Sequence, residues 1–368
     1  MNKNRRLTIW LPVIIAASIA LGIFIGNHYL SLTQNGKRRM FSSGNKINAI
    51  LDIIDEQYVD TVNMKSLVEG TIPKIFSELD PHSVYISAED ASIVNEDLEG
   101  SFSGIGVSFN MQTDTILVIS AISGGPAEKA GLLPFDRIIT INDSIYSGNS
   151  TSQAKIMRTL RGAKNSTVKL GVKRGDTPDL LYFDVTRGDV PVNSVDVSYE
   201  VSKGIGYIKV SKFGRTTYNE FITAIAKLKE LGCDSFVIDL RGNTGGYMDA
   251  AINMVNEFMP EGRLIVYTEG KALPRNDVYT NGTGTCKETP IVVLTDEFSA
   301  SASEIFSGAI QDNDRGMIVG RRTYGKGLVQ SPIKLSDGSE IRLTIARYYT
   351  PSGRSIQKDY KLGDSADY

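Results

Sequence analysis

Histidine and cysteine are the scarce residues of this 368-residue chain, with two of each. Two histidines, His28 and His82, cannot build a zinc site of several imidazoles. Two cysteines, Cys233 and Cys286, cannot build a disulfide framework or a four-cysteine zinc site. A Ser-His-Asp hydrolase would have to take its imidazole from one of those two positions, so an enzyme made from this chain is expected to find its base elsewhere. Excess charge is lacking as well. Forty Lys and Arg face 42 Asp and Glu, a formal net charge of -2, which argues against a nucleic-acid binder working through a basic face. What is present is ordinary for folded domains, 41% hydrophobic and 22% charged residues, over a length that allows two or three cores.

One long apolar run stands out. Residues 7–26, LTIWLPVIIAASIALGIFIG, carry no charge and follow Lys3, Arg5 and Arg6. About twenty residues at ~1.5 Å each span a ~30 Å hydrocarbon layer. The run therefore reads as a transmembrane helix with its basic flank in the cytoplasm. Its exit, Phe24-Ile25-Gly26-Asn27-His28, lacks the small-x-small pattern of a cleaved signal peptide, and no cysteine follows closely for lipid attachment. A cleaved signal and a buried terminal helix are the alternatives. The expected location is the bacterial cell envelope, as a single-pass inner membrane protein with the remainder of the chain in the periplasm.

After a polar, basic linker, residues 47–54 and 64–79 show helical apolar spacing, with Pro73 expected to kink or split the second stretch. Asp80-Pro81-His82-Ser83 is a break, in which His82 reads as a turn residue, and an acidic helix follows up to Leu98. From residue 100 to 188 the pattern changes to strands at 105–109, 116–119, 137–141, 167–173 and 180–185, with short helices at 126–130 and 152–160. From residue 197 onward strands at 206–210, 235–240, 291–295 and 317–320 alternate with helices at 217–231, 248–258 and 301–311, the order of an α/β domain. Residues 264–285 read as an exposed excursion.

Three segments of the α/β part could carry chemistry. Asp239-Leu240-Arg241-Gly242-Asn243-Thr244-Gly245-Gly246 joins a strand to a helix, either as a tight turn needing positive φ or as a set of N–H groups facing an anion. Ser299-Ala300-Ser301-Ala302-Ser303-Glu304 opens the next helix. Any one serine there could be a cap, but three alternating with alanine exceed what capping needs. A nucleophile at such a turn would lie beside free helix N–H groups able to hold an oxyanion. Gly320-Arg321-Arg322-Thr323-Tyr324-Gly325-Lys326-Gly327 nearly spells a phosphate-binding loop, but Gly327 replaces the hydroxyl that would hold Mg²⁺. Serine and lysine together suit a chain poor in histidine, because a buried, neutral lysine can take a serine proton. Leu328 and Val329 suit such a dry pocket, and Gln330 could fix the amine.

These segments, with Tyr58-Val59-Asp60, residues 79–83, 102–106 and 126–132, and the run from Tyr349 to Gln357, resemble in order the C-terminal processing (tail-specific) serine peptidases over residues 45–358. The resemblance implies that Ser301 is the nucleophile and Lys326, 25 residues later, the general base. It implies that Gln330 orients the lysine and that an oxyanion hole is formed by the N–H groups of Gly246 (or Gly245) and Ala302. Asp312 stands where some members carry a supporting acid. The β-rich module resembles a PDZ domain, with Gly104, Ile105, Gly106 and Val107 as its carboxylate loop, which implies capture of apolar C-terminal tails of protein substrates. Phe135 departs from the glycine common at its position. The chain also ends at Tyr368, soon after the last motif, which implies a missing C-terminal portion.

The expected fold is α/β, a crotonase-like protease core with an inserted β-rich PDZ domain, an N-terminal helical arm and one transmembrane helix. The divisions are an anchor at 1–27, a linker at 28–44, a helical region at 45–98, the PDZ domain at 99–188, the protease core at 189–358 and an end segment at 359–368. No cofactor, metal or nucleic-acid partner is expected, and a homo-oligomer or an adaptor protein is left open as a partner. The rivals are a non-catalytic PDZ adaptor and a crotonase-like acyl-CoA enzyme.

Overall fold

Short apolar strands joined by helices frame the larger part of the chain. The computed structural model describes residues 18–23, 43–112, 115–146 and 152–362. It divides into two units, residues 1–75 and 76–368. The first contains helix α1 (Ser43–Gln57) and most of α2 (Met64–Ser77). Helix α2 is not split at Pro73. Proline φ suits a helix, and near the C-terminal end the missing N–H removes only one ladder bond. The apolar run 7–26 lies outside the described residues except for 18–23, which are helical. Among the described residues no helix is long and apolar enough to cross a membrane. The expected linker also lies outside them, except for residues 43 and 44, which begin α1.

The second unit begins with β1 (Val84–Ile86) and α3 (Ala88–Glu99), capped by Ser87 and ended by Gly100 at φ 84. Strands β2 (Ser101–Gly104) and β9 (Gly188–Pro191) pair antiparallel, so the module between them leaves and rejoins the core through one ribbon. That module holds β3 (Val107–Gln112), β4 (Thr115–Ala121), α4 (Pro126–Ala130), β5 (Arg137–Ile141), β6 (Ser144–Ile145), α5 (Gln153–Leu160), β7 (Thr167–Lys173) and β8 (Leu181–Thr186). Its sheet runs β3-β4-β5-β7-β8, which leaves β3 at an edge. Alternating residues such as Ile116 and Val118 meet Ile138, Ile156 and Leu170 in a core of its own. Phe135 takes φ 69 with its ring exposed, a conformation that favours glycine.

The core domain continues with β10 (Val195–Ser202), β11 (Ile205–Val210), α6 (Thr217–Glu230), β12 (Ser235–Asp239), α7 (Met248–Asn256), β13 (Leu264–Glu269) and β14 (Asn276–Tyr279). It is completed by β15 (Ile291–Thr295), α8 (Ala302–Asp312), β16 (Met317–Gly320), β17 (Leu328–Lys334) and β18 (Glu340–Tyr349). Strands β11, β12, β15 and β16 are parallel neighbours, with β10 antiparallel at the edge. Phe221, Ile225 and Leu228 of α6 lie at helical spacing and bury against this sheet. Phe258 packs edge-on to Phe221 at 5.9 Å and to Phe306 of α8 at 6.3 Å, pairs that each add ~0.5–1.5 kcal/mol beyond burial.

Residues 264–285 are not an exposed excursion throughout. Ile265 and Val266 are buried, and β13 pairs with β18 in a second sheet ordered β1-β18-β13-β14, with β17 on β18. Isoleucine and valine at the start of that stretch bury more apolar surface than a surface loop would allow, which outweighs its later Gly, Asn and Thr. Because β12, β15 and β16 run side by side in one direction, their C-terminal ends lie together. Each leads into one of the three chemistry-bearing segments.

Candidate active site

The Gly-rich turn after β12 and the serine turn after β15 are locked to each other. The Asp296 carboxylate accepts the Gly242 N–H at 2.9 Å and the Phe298 and Ser299 N–H groups at 3.1 Å. Ser299 Oγ donates to Leu240 O, Ser303 Oγ donates to Asn243 O, and Ala300 N–H reaches the same Asn243 O. These bonds separate the three serines. Ser299 and Ser303 use their hydroxyl protons to hold the neighbouring turn, whereas Ser301 Oγ donates to no acceptor among the described residues. Ser301 also has φ 55 and ψ -113, a conformation that costs a non-glycine residue ~1–3 kcal/mol.

The lysine loop is fixed to this turn from two sides. Glu304, in the first turn of α8 and 2% exposed, accepts the Ser301 and Lys326 N–H groups on one oxygen at 2.8 Å and the Gly325 N–H on the other at 2.7 Å. Burial pushes the Glu304 carboxyl up, against the pull of the Thr323 hydroxyl and these N–H donors. From the opposite side, the Tyr348 hydroxyl lies on the carbonyl oxygens of both Ser301 and Lys326. The N–H groups of Gly325 and Lys326 therefore point at a carboxylate, and β17, not a helix, follows them. That geometry disposes of the phosphate-binding loop, which would aim those N–H groups at a ligand and open a helix at the lysine.

Lys326 Nζ donates to Gln330 Oε1 at 3.1 Å. Burial lowers its affinity for a proton, the Arg342 cation lowers it further, and Asp80 and Glu304 oppose; the net shift is downward. No hydrogen bond joins Lys326 Nζ to Ser301 Oγ. Gln330 Nε2 donates to His82 O at 2.8 Å, so His82 meets the site through its main chain. Burial and the Lys326 charge hold the His82 imidazole down to about 4, which leaves it neutral at pH 7.

The two candidate oxyanion donors are distinguishable. Gly245 N–H is committed to Asn243 Oδ1 at 2.9 Å, whereas Gly246 N–H and Ala302 N–H have no acceptor among the described residues. Beneath this turn, burial would raise Asp239, but hydrogen bonds from Arg241 and Tyr207 and the Lys209 charge outweigh it and hold the carboxyl at about 2. Asp312 is not part of the constellation. It lies at the far end of α8, about 15 Å of helix from Ser301, and holds Ser352 and Arg354. A serine, a lysine of lowered pKa and two unsatisfied N–H groups can together perform acyl transfer. Sequence reasoning missed Asp80, Glu304, Tyr348 and Asp296. Of these, Glu304 had a signal, the Ser-x-x-Glu spacing of a capping box.

In the β-rich module, Gly106 has φ 74 and the Ile105 and Gly106 N–H groups have no acceptor among the described residues. The loop opens on a cavity between edge strand β3 and helix α5, lined by Phe102, Ile105, Val107, Met157, Leu160 and Arg161. An extended peptide can add to such an edge.

Family models match along the chain: peptidase family S41 over residues 204–364, a PDZ domain over 103–195 and the activating protease CtpB N-terminal domain over 26–90. The carboxy-terminal processing protease CtpB of Bacillus subtilis (strain 168) is 34% identical, over 85% of this chain and 65% of its own length. The carboxy-terminal processing protease CtpA of the same organism is 33% identical, over 96% of this chain and 76% of its own length. The chain thus spans under two thirds of one relative and about three quarters of the other. A solved photosystem II D1 C-terminal processing protease is 28% identical over 83% of this chain and 88% of its own, with a TM-score of 0.47.

Proposed function

The chain belongs to peptidase family S41, and from that premise we propose that it is a carboxy-terminal processing serine endopeptidase that captures apolar protein tails on its PDZ domain and cleaves them with a Ser301–Lys326 dyad. The observation that carries this reading is the pair of buried side chains, Glu304 and Tyr348, that tie the main chain of Ser301 to that of Lys326. Neutral Lys326 takes the Ser301 proton as Oγ attacks the peptide carbonyl. The oxyanion rests on the N–H groups of Gly246 and Ala302. The resulting ammonium protonates the leaving amine, the C–N bond breaks, and water, deprotonated by Lys326, releases the acyl group. Gln330 occupies one N–H of the lysine and so aims its lone pair. Gly104, Ile105, Gly106 and Val107 take the tail carboxylate, and the adjoining cavity takes its apolar last side chain.

The charge pattern of residues 1–26 supports an envelope location, with the run 7–26 as an inner-membrane anchor and the domains in the periplasm. Retention in the membrane pellet after alkaline extraction tests the anchor. Incubating wild type and Ser301→Ala with an unfolded protein ending in an apolar tripeptide tests the chemistry. Cleavage by wild type alone is expected. Unchanged cleavage by Ser301→Ala rejects the nucleophile, and tail binding without cleavage by wild type selects a PDZ adaptor instead.

A further inference from the structure

The amide of Gln330 could face Lys326 by either end, and only one end leaves the lysine a base. With Oε1 toward Nζ, the amine donates one N–H and its lone pair stays available. With the amide reversed, Nε2–H would donate into that lone pair or repel an ammonium. Nothing on β17 itself selects between the two. The selection comes from a carbonyl far away in sequence, His82 O, which can only accept and therefore requires Nε2 to face it.

That carbonyl is held by a closed set of bonds. Asp80 Oδ1 accepts the N–H groups of His82 and Ser83 at 3.0 Å and the Thr344 hydroxyl at 2.9 Å. Asp80 Oδ2 accepts Ser83 Oγ–H at 2.6 Å, and Ser83 Oγ in turn accepts the Thr344 N–H at 3.0 Å. Asp80 and Ser83 are buried, and β1 directly after them pairs with β18 from Val84 to Ile86. The turn is thus pinned to the strand that also carries Tyr348. Four donors on one buried carboxylate are more than a surface turn requires, and every one of them fixes the 80–83 main chain or its partner strand.

We infer that Asp80 is a positioning residue for the general base: by locking the 80–83 turn it aims His82 O at Gln330 and so sets the amide polarity that keeps Lys326 able to accept a proton. This rests on the Ser301–Lys326 reading above. Asp80 touches neither substrate nor reacting atoms; its charge also favours the protonated Lys326, but the positioning effect passes through Gln330.

The test is a double-mutant cycle on the full chain with Asp80→Ala, Gln330→Ala and both together, read as kcat and KM on a fluorescently labelled unfolded protein ending in an apolar tripeptide. Displacing a catalytic group by about 1 Å can cost ~100-fold, so Asp80→Ala is expected to lower kcat ~10- to 100-fold with KM within about twofold. The double variant is expected to be no slower than Gln330→Ala alone, because one effect runs through the other. Losses that multiply, or an Asp80→Ala variant of unchanged kcat, overturn the inference. If Asp80→Ala does not fold, Asp80→Asn, which keeps the Oδ1 acceptor and loses that of Ser83 Oγ, takes its place in the cycle: a smaller kcat loss that is absent in the Gln330→Ala background supports the inference, and a loss that persists there overturns it. Labelling by a fluorophosphonate, in wild type and Ser301→Ala, reports separately on the dyad. Its loss of dependence on Ser301 rejects the underlying reading, whereas a multiplicative cycle with intact Ser301 labelling rejects only the role of Asp80.

Discussion

Gly245→Ala should disable the site through geometry alone. Gly245 has φ 100, and a Cβ built there would lie 2.7 Å from Ala300 O, 2.7 Å from Ser301 Cβ and 3.0 Å from Ala302 N. Neither wall can retreat easily. Gly245 is held by its N–H on Asn243 Oδ1 and by Phe213 N–H on its carbonyl, both at 2.9 Å. Ala300 N–H is held by Asn243 O at 3.0 Å. The left-handed backbone costs roughly 1–2 kcal/mol for an L-residue, and forcing a methyl into a filled space roughly 1–3 more. A melting temperature about 4–20 °C lower follows for a unit of this size. The rate loss has a second origin. The methyl must push the Ala302 N–H away from an oxyanion, and losing one such donor costs ~10²- to 10³-fold in kcat. The control is Gly242→Ala, where φ is 72 but nothing lies within 4 Å of the added carbon. It should cost only the roughly 1–2 kcal/mol of backbone strain and leave the other variant's rate loss unmatched. Cleavage of a tailed unfolded protein at a temperature where both variants are folded decides the matter. If the two alanines lose activity alike, or Gly245→Ala keeps more than about a tenth of the wild-type rate, the placement of the oxyanion beside Ala302 is wrong.

The pH–rate profile should rise with the loss of the Lys326 proton, with a midpoint below the ~10.4 of a free lysine. Arg342→Gln should move that midpoint upward by removing the cation beside it, and a limb near ~6.5 abolished by His82→Ala would contradict a histidine held at about 4. Tyr348→Phe removes the hydroxyl between the Ser301 and Lys326 carbonyls and keeps the ring, so kcat should fall about tenfold while stability drops by ~1 kcal/mol; equal binding and cleavage to wild type would deny the tether a role. The Asp239 carboxyl ionises more readily when folded, at about 2, so the folded state holds fewer protons than the unfolded one. Its contribution is therefore complete above about pH 5 and lost as pH falls toward 2, and is worth about 2 kcal/mol. Urea midpoints across that range should flatten in Asp239→Asn.

What the sequence made legible was local, and what it hid was pairing between distant segments. Strands at 137–141, 167–173, 291–295 and 317–320 have in the structure the limits that their apolar patterns predict. The strand–turn–helix order placed both the Gly-rich turn and Ser301. The stretch Leu264–Glu269 misled because the Gly, Asn and Thr after it resemble a loop, while its burial depends on β18, some eighty residues later. The choice among Ser299, Ser301 and Ser303 is a sharper case. No local property separates three serines in an alternating run, and the family resemblance alone favoured the middle one. The structure gives a physical ground, because two of the hydroxyls donate to carbonyls of the 240–243 turn and the third does not. The same argument explains why Glu304, though missed, carried a local signal and Tyr348 did not. A carboxylate three residues after a serine is a helix-capping pattern wherever it occurs. A tyrosine in a strand has no such pattern, and its hydroxyl acquires meaning only when folding brings two carbonyls from residues 22 and 47 positions away to it. Candidates for catalytic groups can thus be proposed from chemistry and order, whereas the groups that hold them in place are set by long-range pairing. Asp80, more than two hundred residues from Lys326, is the extreme instance in this chain.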